Sequence, residues 1–237
     1  SENCTWFAGG AIGDDGVFRL CYLPASEVTI HPNWDVVGLR GTGSHDWSVD
    51  DAVVPVDRCV DLLCGSPVHP SPLYRIPLFG MLAAGVAAVG LGVASAAVDA
   101  LVELAGGKVP SLATRRLADR TTIQAEVSRR VAALDAARTY LHATIAAALD
   151  GAAAGDDPTE VERAQLRMAA VHAAHTAADV TTAMYTLGGG TSVRNDSPLP
   201  RLHRDAHVVT QHLMVSPSVW EPCGKALLGL ALERMDL

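Results

Sequence analysis

The sequence predicts an α+β protein, with part of a small β domain over residues 1–71 followed by an antiparallel α-helical bundle over 72–237. Alanine usage carries the first part of this reading: of 38 alanines, four lie in residues 1–71 and 34 lie after them. Local pattern carries the second. The first part has Gly and Pro punctuation and short alternating apolar runs, which suit strands, while the second is rich in Ala, Leu, Arg and Glu, which suit helices. With 237 residues, 49% hydrophobic and 19% charged, the chain is long and apolar enough to bury a core, and disorder is excluded.

Taken in order, the alternating runs VFRLCYL (17–23) and WSVDDAVV (47–54) predict strands, and Pro55 closes the second. Breaks at 106–110, 151–158 and 188–190 bound long helices near 72–105, 111–150 and 158–187, and shorter ones follow near 199–214 and 217–235. Pro158 suits a first helical turn, with acidic groups beside the positive end of the helix dipole. Ser111 or Thr114 would start the preceding helix. Residues 76–98 carry no charge over 23 positions, long enough to cross a bilayer. Their many Gly, Ala and Pro residues instead predict a fully buried helix in a soluble bundle, with Ala84, Ala88, Gly92 and Ala96 forming a stripe for close helix approach. Helices apolar on this many sides predict a homotetramer.

Acidic residues outnumber Lys and Arg by 26 to 18, for a net charge of -8, and no basic cluster tracks a phosphate backbone, so nucleic acid is not expected as a partner. Five cysteines without C-x-x-C spacing read as reduced thiols of a cytoplasmic protein. His172, His175 and Asp179 fall on successive helical turns, but there is no Glu-x-x-His in the chain, and the two histidines are expected to fill helix contacts, with no metal site. Cys59 and Cys64 are expected as buried small apolar residues. The absence of G-x-S-x-G, Walker-type and Rossmann motifs argues against a serine hydrolase, a P-loop enzyme and a nicotinamide dehydrogenase.

One dense polar segment remains, 188–212. Three successive glycines, 188–190, exceed what a helix end requires and allow backbone N–H groups to approach a ligand, and Thr191 and Ser192 add hydroxyls. Continued helix would place Asp205 and His212 on nearly one face with Arg201, and His207 roughly 140° away. Arg201 and Asp205 are spaced to pair, and His212 is the candidate for proton transfer.

The segments GLRGTGSHD (38–46) and VDDAVVP (49–55) resemble the end of the β domain in the acyl-CoA dehydrogenase superfamily. The block 187–214, with Gly-Gly-Gly-Thr-Ser, Ser-Pro-Leu, Arg-Asp-Ala-His and Gln-His, is similar to its branch of flavin-dependent two-component monooxygenases. Residues 1–6 look like the continuation of a family motif in which Ser-Gly comes immediately before, so the chain reads as the C-terminal part of a longer protein.

The resemblance implies an oxygenase component that hydroxylates a small aromatic, phenolic substrate with O2 and reduced FMN or FAD, the flavin being supplied by a separate reductase. It places His212 at the family's catalytic histidine. Gly189, Gly190, Thr191 and Ser192 fall near flavin, and Arg116, next to Arg115, falls where the family holds flavin phosphate. The competing reading is an acyl-CoA dehydrogenase, whose carboxylate base follows Arg-Asp in a Tyr-Glu-Gly-Thr stretch; here Leu213 stands where that base would be. A catalytically silent bundle is a third reading.

Overall fold

The computed structural model describes residues 2–62, 65–233 and 237, and the chain divides into two compact units, Ser1–Pro70 and Ser71–Leu237.

In the first unit, β1 (Trp6–Ile12) and β2 (Phe18–Pro24) form an antiparallel hairpin, with β5 (Cys59–Val60) on the other side of β2. The hairpin turns at Gly16, whose positive φ of 73° favours glycine, and Asp15 ties the turn by accepting from the Val17 N–H and pairing with Arg19. A second pair joins β3 (Thr29–His31) to β4 (Asp46–Ser48). Phe7 and Leu23 face each other in register and are buried, and Trp47 meets Phe7 edge-on at 5.5 Å. Gly9 lies beneath the Trp47 indole, so a glycine in mid-strand is required there by packing.

The expected strand at 17–23 forms as β2. The one at 47–54 stops at Ser48, because Asp51 takes the left-handed conformation, with φ of 47°, and ends the alternation; Val53 is exposed. Cys59 faces Cys21 across β2 and β5 with the sulfurs 3.6 Å apart, partly exposed where burial was expected. Cys64 lies outside the described residues.

The second unit is built on α1 (Leu78–Gly107), α2 (Thr121–Ala154) and α3 (Glu160–Gly188), with α4 (Leu199–Val209) and α5 (Trp220–Leu227) packed against them. α3 is central and packs on the other four helices, which is why alanine predominates along it: Ala164, Ala169, Ala170, Ala173, Ala174, Ala177 and Ala178 are all buried. The short α2–α3 connection enforces antiparallel neighbours. Gly155 ends α2 with φ of 89°, and Thr159 starts α3 with a capping box in which Glu162 accepts from the Thr159 N–H at 2.8 Å. Pro158 therefore sits just before the cap, outside the helix.

Several expected features shift. α2 begins at Thr121, ten residues after Ser111, because Leu117 is buried and donates its N–H to the Lys108 carbonyl at 2.7 Å, which holds 108–120 as a loop. The helices expected at 199–214 and 217–235 shorten to α4 and α5. α1 is not fully buried. Its inward face runs Gly80, Ala83, Ala87, Gly90, Leu91, Ala94, Ala97, Leu101 and Ala105, whereas Ala88, Gly92 and Ala96 of the expected stripe are exposed. Gly80 lies against Leu166, and Gly90 against Ala174, Ala177 and Val209. α1 is still long and apolar enough to cross a membrane by composition; here one face of it packs in the bundle.

Candidate active site

At one end of the bundle α1 and α3 terminate side by side. The Lys108 ammonium donates to the Gly188 carbonyl at 2.5 Å, and Arg116 reaches back to the Gly106 carbonyl at 3.4 Å while pairing with Asp119 at 3.1 Å. Arg116 and the glycine loop therefore share this end. Gly188 is buried against Leu199 and Ser192, so only glycine fits. Gly189, with φ of 58°, and Gly190 are exposed, and a side chain at Gly190 would meet open space. Thr191 is half-buried. Ser192 is fully buried with its hydroxyl unpartnered, so it packs the loop instead of presenting a hydroxyl outward.

A flavin phosphate could be met at this end by an ammonium and a guanidinium, and both hold partners in this structure, Lys108 the Gly188 carbonyl and Arg116 the Asp119 carboxylate. Exposed glycine backbone allows close approach, with one ammonium and one guanidinium beside it. The Asp119 carboxylate, held below the usual carboxylate range by Arg116, is exposed and keeps the guanidinium oriented.

His212 does not continue α4. The helix ends at Val209, Thr210 turns its hydroxyl onto the His207 carbonyl at 2.8 Å, and His212 caps the 3-10 turn Leu213–Val215. The Met214 N–H donates to His212 Nδ1 at 3.2 Å. The expected helical phase of Asp205 and His212 therefore does not apply, because the segment between them is not one helix. Asp205 is buried and pairs with Arg201 at 3.2 Å.

The His212 imidazole is exposed, and with Nδ1 accepting, the neutral ring carries its proton on Nε2. His175 Nε2 meets the Val215 carbonyl at 3.1 Å, which fixes this turn at the level of His175 on α3, about 20 Å along the helix from Gly188. Arg116, beside the C-terminal end of α1, and the loop 189–191, at the C-terminal end of α3, thus lie at the same end of the bundle, and His212 lies well apart from both within one chain.

Three features had little sequence signal. Tyr185 stacks on His203 at 4.8 Å, His203 lies 4.5 Å from His207, and His207 Nε2 meets the Thr182 hydroxyl at 2.8 Å. Burial, with the His207 and Arg204 charges added, holds His203 below the usual histidine range. The i, i+4 spacing of His203 and His207 was the one available hint. Arg167 is buried on α3, and a cavity of about 350 Å³ opens between α2 and α3 beside Tyr140, Thr144 and Leu166. His172 lies 6.3 Å from the Tyr140 ring.

Long α1 to α3 with short α4 and α5 laid against them is the architecture of acyl-CoA dehydrogenase-like helical domains. The chain belongs to the family described as acyl-CoA dehydrogenase, C-terminal domain, whose model matches residues 84–217. It is 38% identical over 212 residues to an indole-3-acetate monooxygenase of Pseudomonas putida, covering 89% of this chain and 54% of that protein. Among solved structures it resembles the 3-HSA hydroxylase from Rhodococcus sp. RHA1, with a TM-score of 0.89 and 26% identity over 98% of this chain and 63% of that one. It also resembles XiaF from Streptomyces sp., solved with FADH2 and glycerol, with a TM-score of 0.86 and 27% identity over 97% and 61% of the two chains. The chain spans about half the length of the curated relative it matches at 38% identity.

Proposed function

We propose that the protein is the oxygenase component of a two-component flavin-dependent monooxygenase, cytoplasmic, which hydroxylates a small aromatic, phenolic substrate. Reduced FMN or FAD from a separate reductase would supply the chemistry that activates O2. The observation that carries this reading is the Gln211-His212-Leu213 turn: where a dehydrogenase would need a carboxylate base, this chain presents an exposed, backbone-anchored imidazole and an exposed leucine. The similarity to an indole-3-acetate monooxygenase and to the FADH2 complex of XiaF supports it.

The chain's own residues then divide the work. Gly189, Gly190 and Thr191 supply backbone and hydroxyl groups to the flavin, and Arg116, with Lys108 beside it, supplies positive charge to its phosphate. His212 donates from Nε2 to the phenolic oxygen and stabilises its ionised form, which makes the ring carbon more electron-rich. Because those two groups of residues lie about 20 Å apart along α3, one flavin ring cannot touch both. The reading therefore favours sites completed by a second copy within a homotetramer, packed through the exposed face of α1.

The test is to supply the purified protein with reduced flavin, O2 and a panel of phenols and indoles, and to quantify hydroxylated product against O2 consumed. Coupled product formation supports the reading. Flavin oxidation with peroxide alone across the panel, together with reduction of bound flavin by an acyl-CoA, would replace it with the dehydrogenase reading.

A further inference from the structure

Arg167 is the most deeply buried charged side chain that the proposed reaction leaves unused. It is 6% exposed. Among the described residues only Nη1 is engaged, donating to the Phe79 carbonyl at 3.2 Å and to Met214 Sδ at 3.3 Å, while Nε has no hydrogen-bond partner there. Its Cζ lies 5.9 Å from the Phe79 ring centre. No carboxylate pairs with it among the described residues. A guanidinium stays charged at any physiological pH, so a buried one with idle donors carries an unreturned desolvation penalty that an anion would offset.

The surroundings define the anion. Arg167 lines a cavity of about 460 Å³ with Phe79, Leu213, Met214, Val219 and Pro222, a size and lining that suit a small organic molecule. The other charged groups lining it are Lys225, paired with Glu221 at 2.9 Å, Glu221 itself, and Glu233. A dianion such as phosphate would face two carboxylates with one uncommitted cation. A monoanion with an apolar body matches both the single guanidinium and the walls.

We propose that this cavity is a binding site for a small organic carboxylic acid, whose carboxylate is held by Arg167 and whose apolar body lies against Phe79, Leu213 and Val219. The site stands on its own residues and does not depend on the proposed hydroxylation. The acid is either the compound that reacts or an effector that binds beside the His212 turn, and both present the same carboxylate.

Isothermal titration of the purified protein with benzoate, its uncharged counterpart benzamide, and inorganic phosphate tests it. Benzoate is expected to bind about tenfold or more tightly than benzamide, with no binding of phosphate. Arg167→Met should abolish that preference, and Arg167→Lys should restore part of it. Glu233→Gln, at the cavity's edge, should tighten benzoate binding and serves if the Arg167 variants do not fold. Equal affinity for benzoate and benzamide, preferential phosphate binding, or an Arg167→Met protein that binds benzoate as the wild type does would each overturn the site. Adding reduced flavin and O2 to the protein bound to 4-hydroxybenzoate, which carries both the carboxylate and a phenolic oxygen, separates the two sources, since a reacting acid is recovered hydroxylated and an effector unchanged.

Discussion

The His212 Nδ1 accepts the Met214 backbone N–H at 3.2 Å, so the neutral imidazole offers a hydrogen at Nε2 and cannot take a proton there without giving up its backbone bond. This geometry makes the ring a donor to an oxyanion. His212→Ala should still bind reduced flavin but hydroxylate at least ~10²-fold more slowly. His212→Asn, which can accept the same N–H, should keep the turn and show the same loss. Stopped-flow absorbance with product quantification decides it, and hydroxylation at the wild-type rate in either variant removes His212 from the reaction. His207, tied to Thr182, should matter far less when replaced by Ala.

The glycine loop separates backbone strain from ligand access. Gly189 has φ of 58°, so any side chain there strains the loop whatever it binds, while Gly190 faces open space at ordinary φ. Gly190→Val should leave the melting temperature unchanged and weaken reduced-flavin binding, and Arg116→Gln should weaken it as well. Unchanged flavin titration in both would reduce this end of the bundle to a connector.

α1 offers a paired test of its two faces. A Cβ at Gly80 would stand 2.5 Å from Leu166 Cδ2, so Gly80→Ala should destabilise the fold by about 1–3 kcal/mol in thermal or denaturant unfolding. Gly92 has nothing within 4 Å, so Gly92→Leu should not disturb packing inside one chain. If the exposed face joins copies into a tetramer, Gly92→Leu should shift sedimentation toward smaller species. A wild-type protein that sediments as a monomer ends the tetramer proposal.

The α3 start has a defined acid response. The Thr159 backbone N–H and then its hydroxyl hold the Glu162 carboxyl below its ordinary value of 4.5. A carboxyl lowered in the folded state stabilises the fold fully above the unfolded value and loses that contribution as pH falls through the folded one. Thr159→Ala should lower stability near neutral pH by about 1 kcal/mol, as loss of an N-cap generally does. It should also flatten the acid limb below about pH 4.5, where Glu162 protonates in the unfolded chain. Parallel acid limbs for the two proteins would show that the capping box does not form in solution.

Local physics was legible along the chain. Alternation marked β2, alanine and leucine marked α1 to α3, and the break at 151–158 marked the α2–α3 connection, although Pro158 falls just outside α3 and not in its first turn, because such signals act over a few neighbouring residues. The family's motif block drew attention to 188–192 and 212, and Arg116 and the glycine loop lie at the same end of α1 and α3. Which face of α1 turns inward was not legible, since small residues recur on several faces and only the partner, here Leu166, Ala174 and Ala177 of α3, selects among them. The same holds for position 212. Periodicity carries a helix forward as long as nothing opposes it, and what ends α4 is a set of bonds made by Thr210 and His212 after folding. Arg167 shows the limit most plainly: on an alanine-rich helix an arginine reads as solvated, and only the packing of α1 and α5 around α3 buries it beside a cavity. Burial depends on atoms far away in sequence, which no local pattern records.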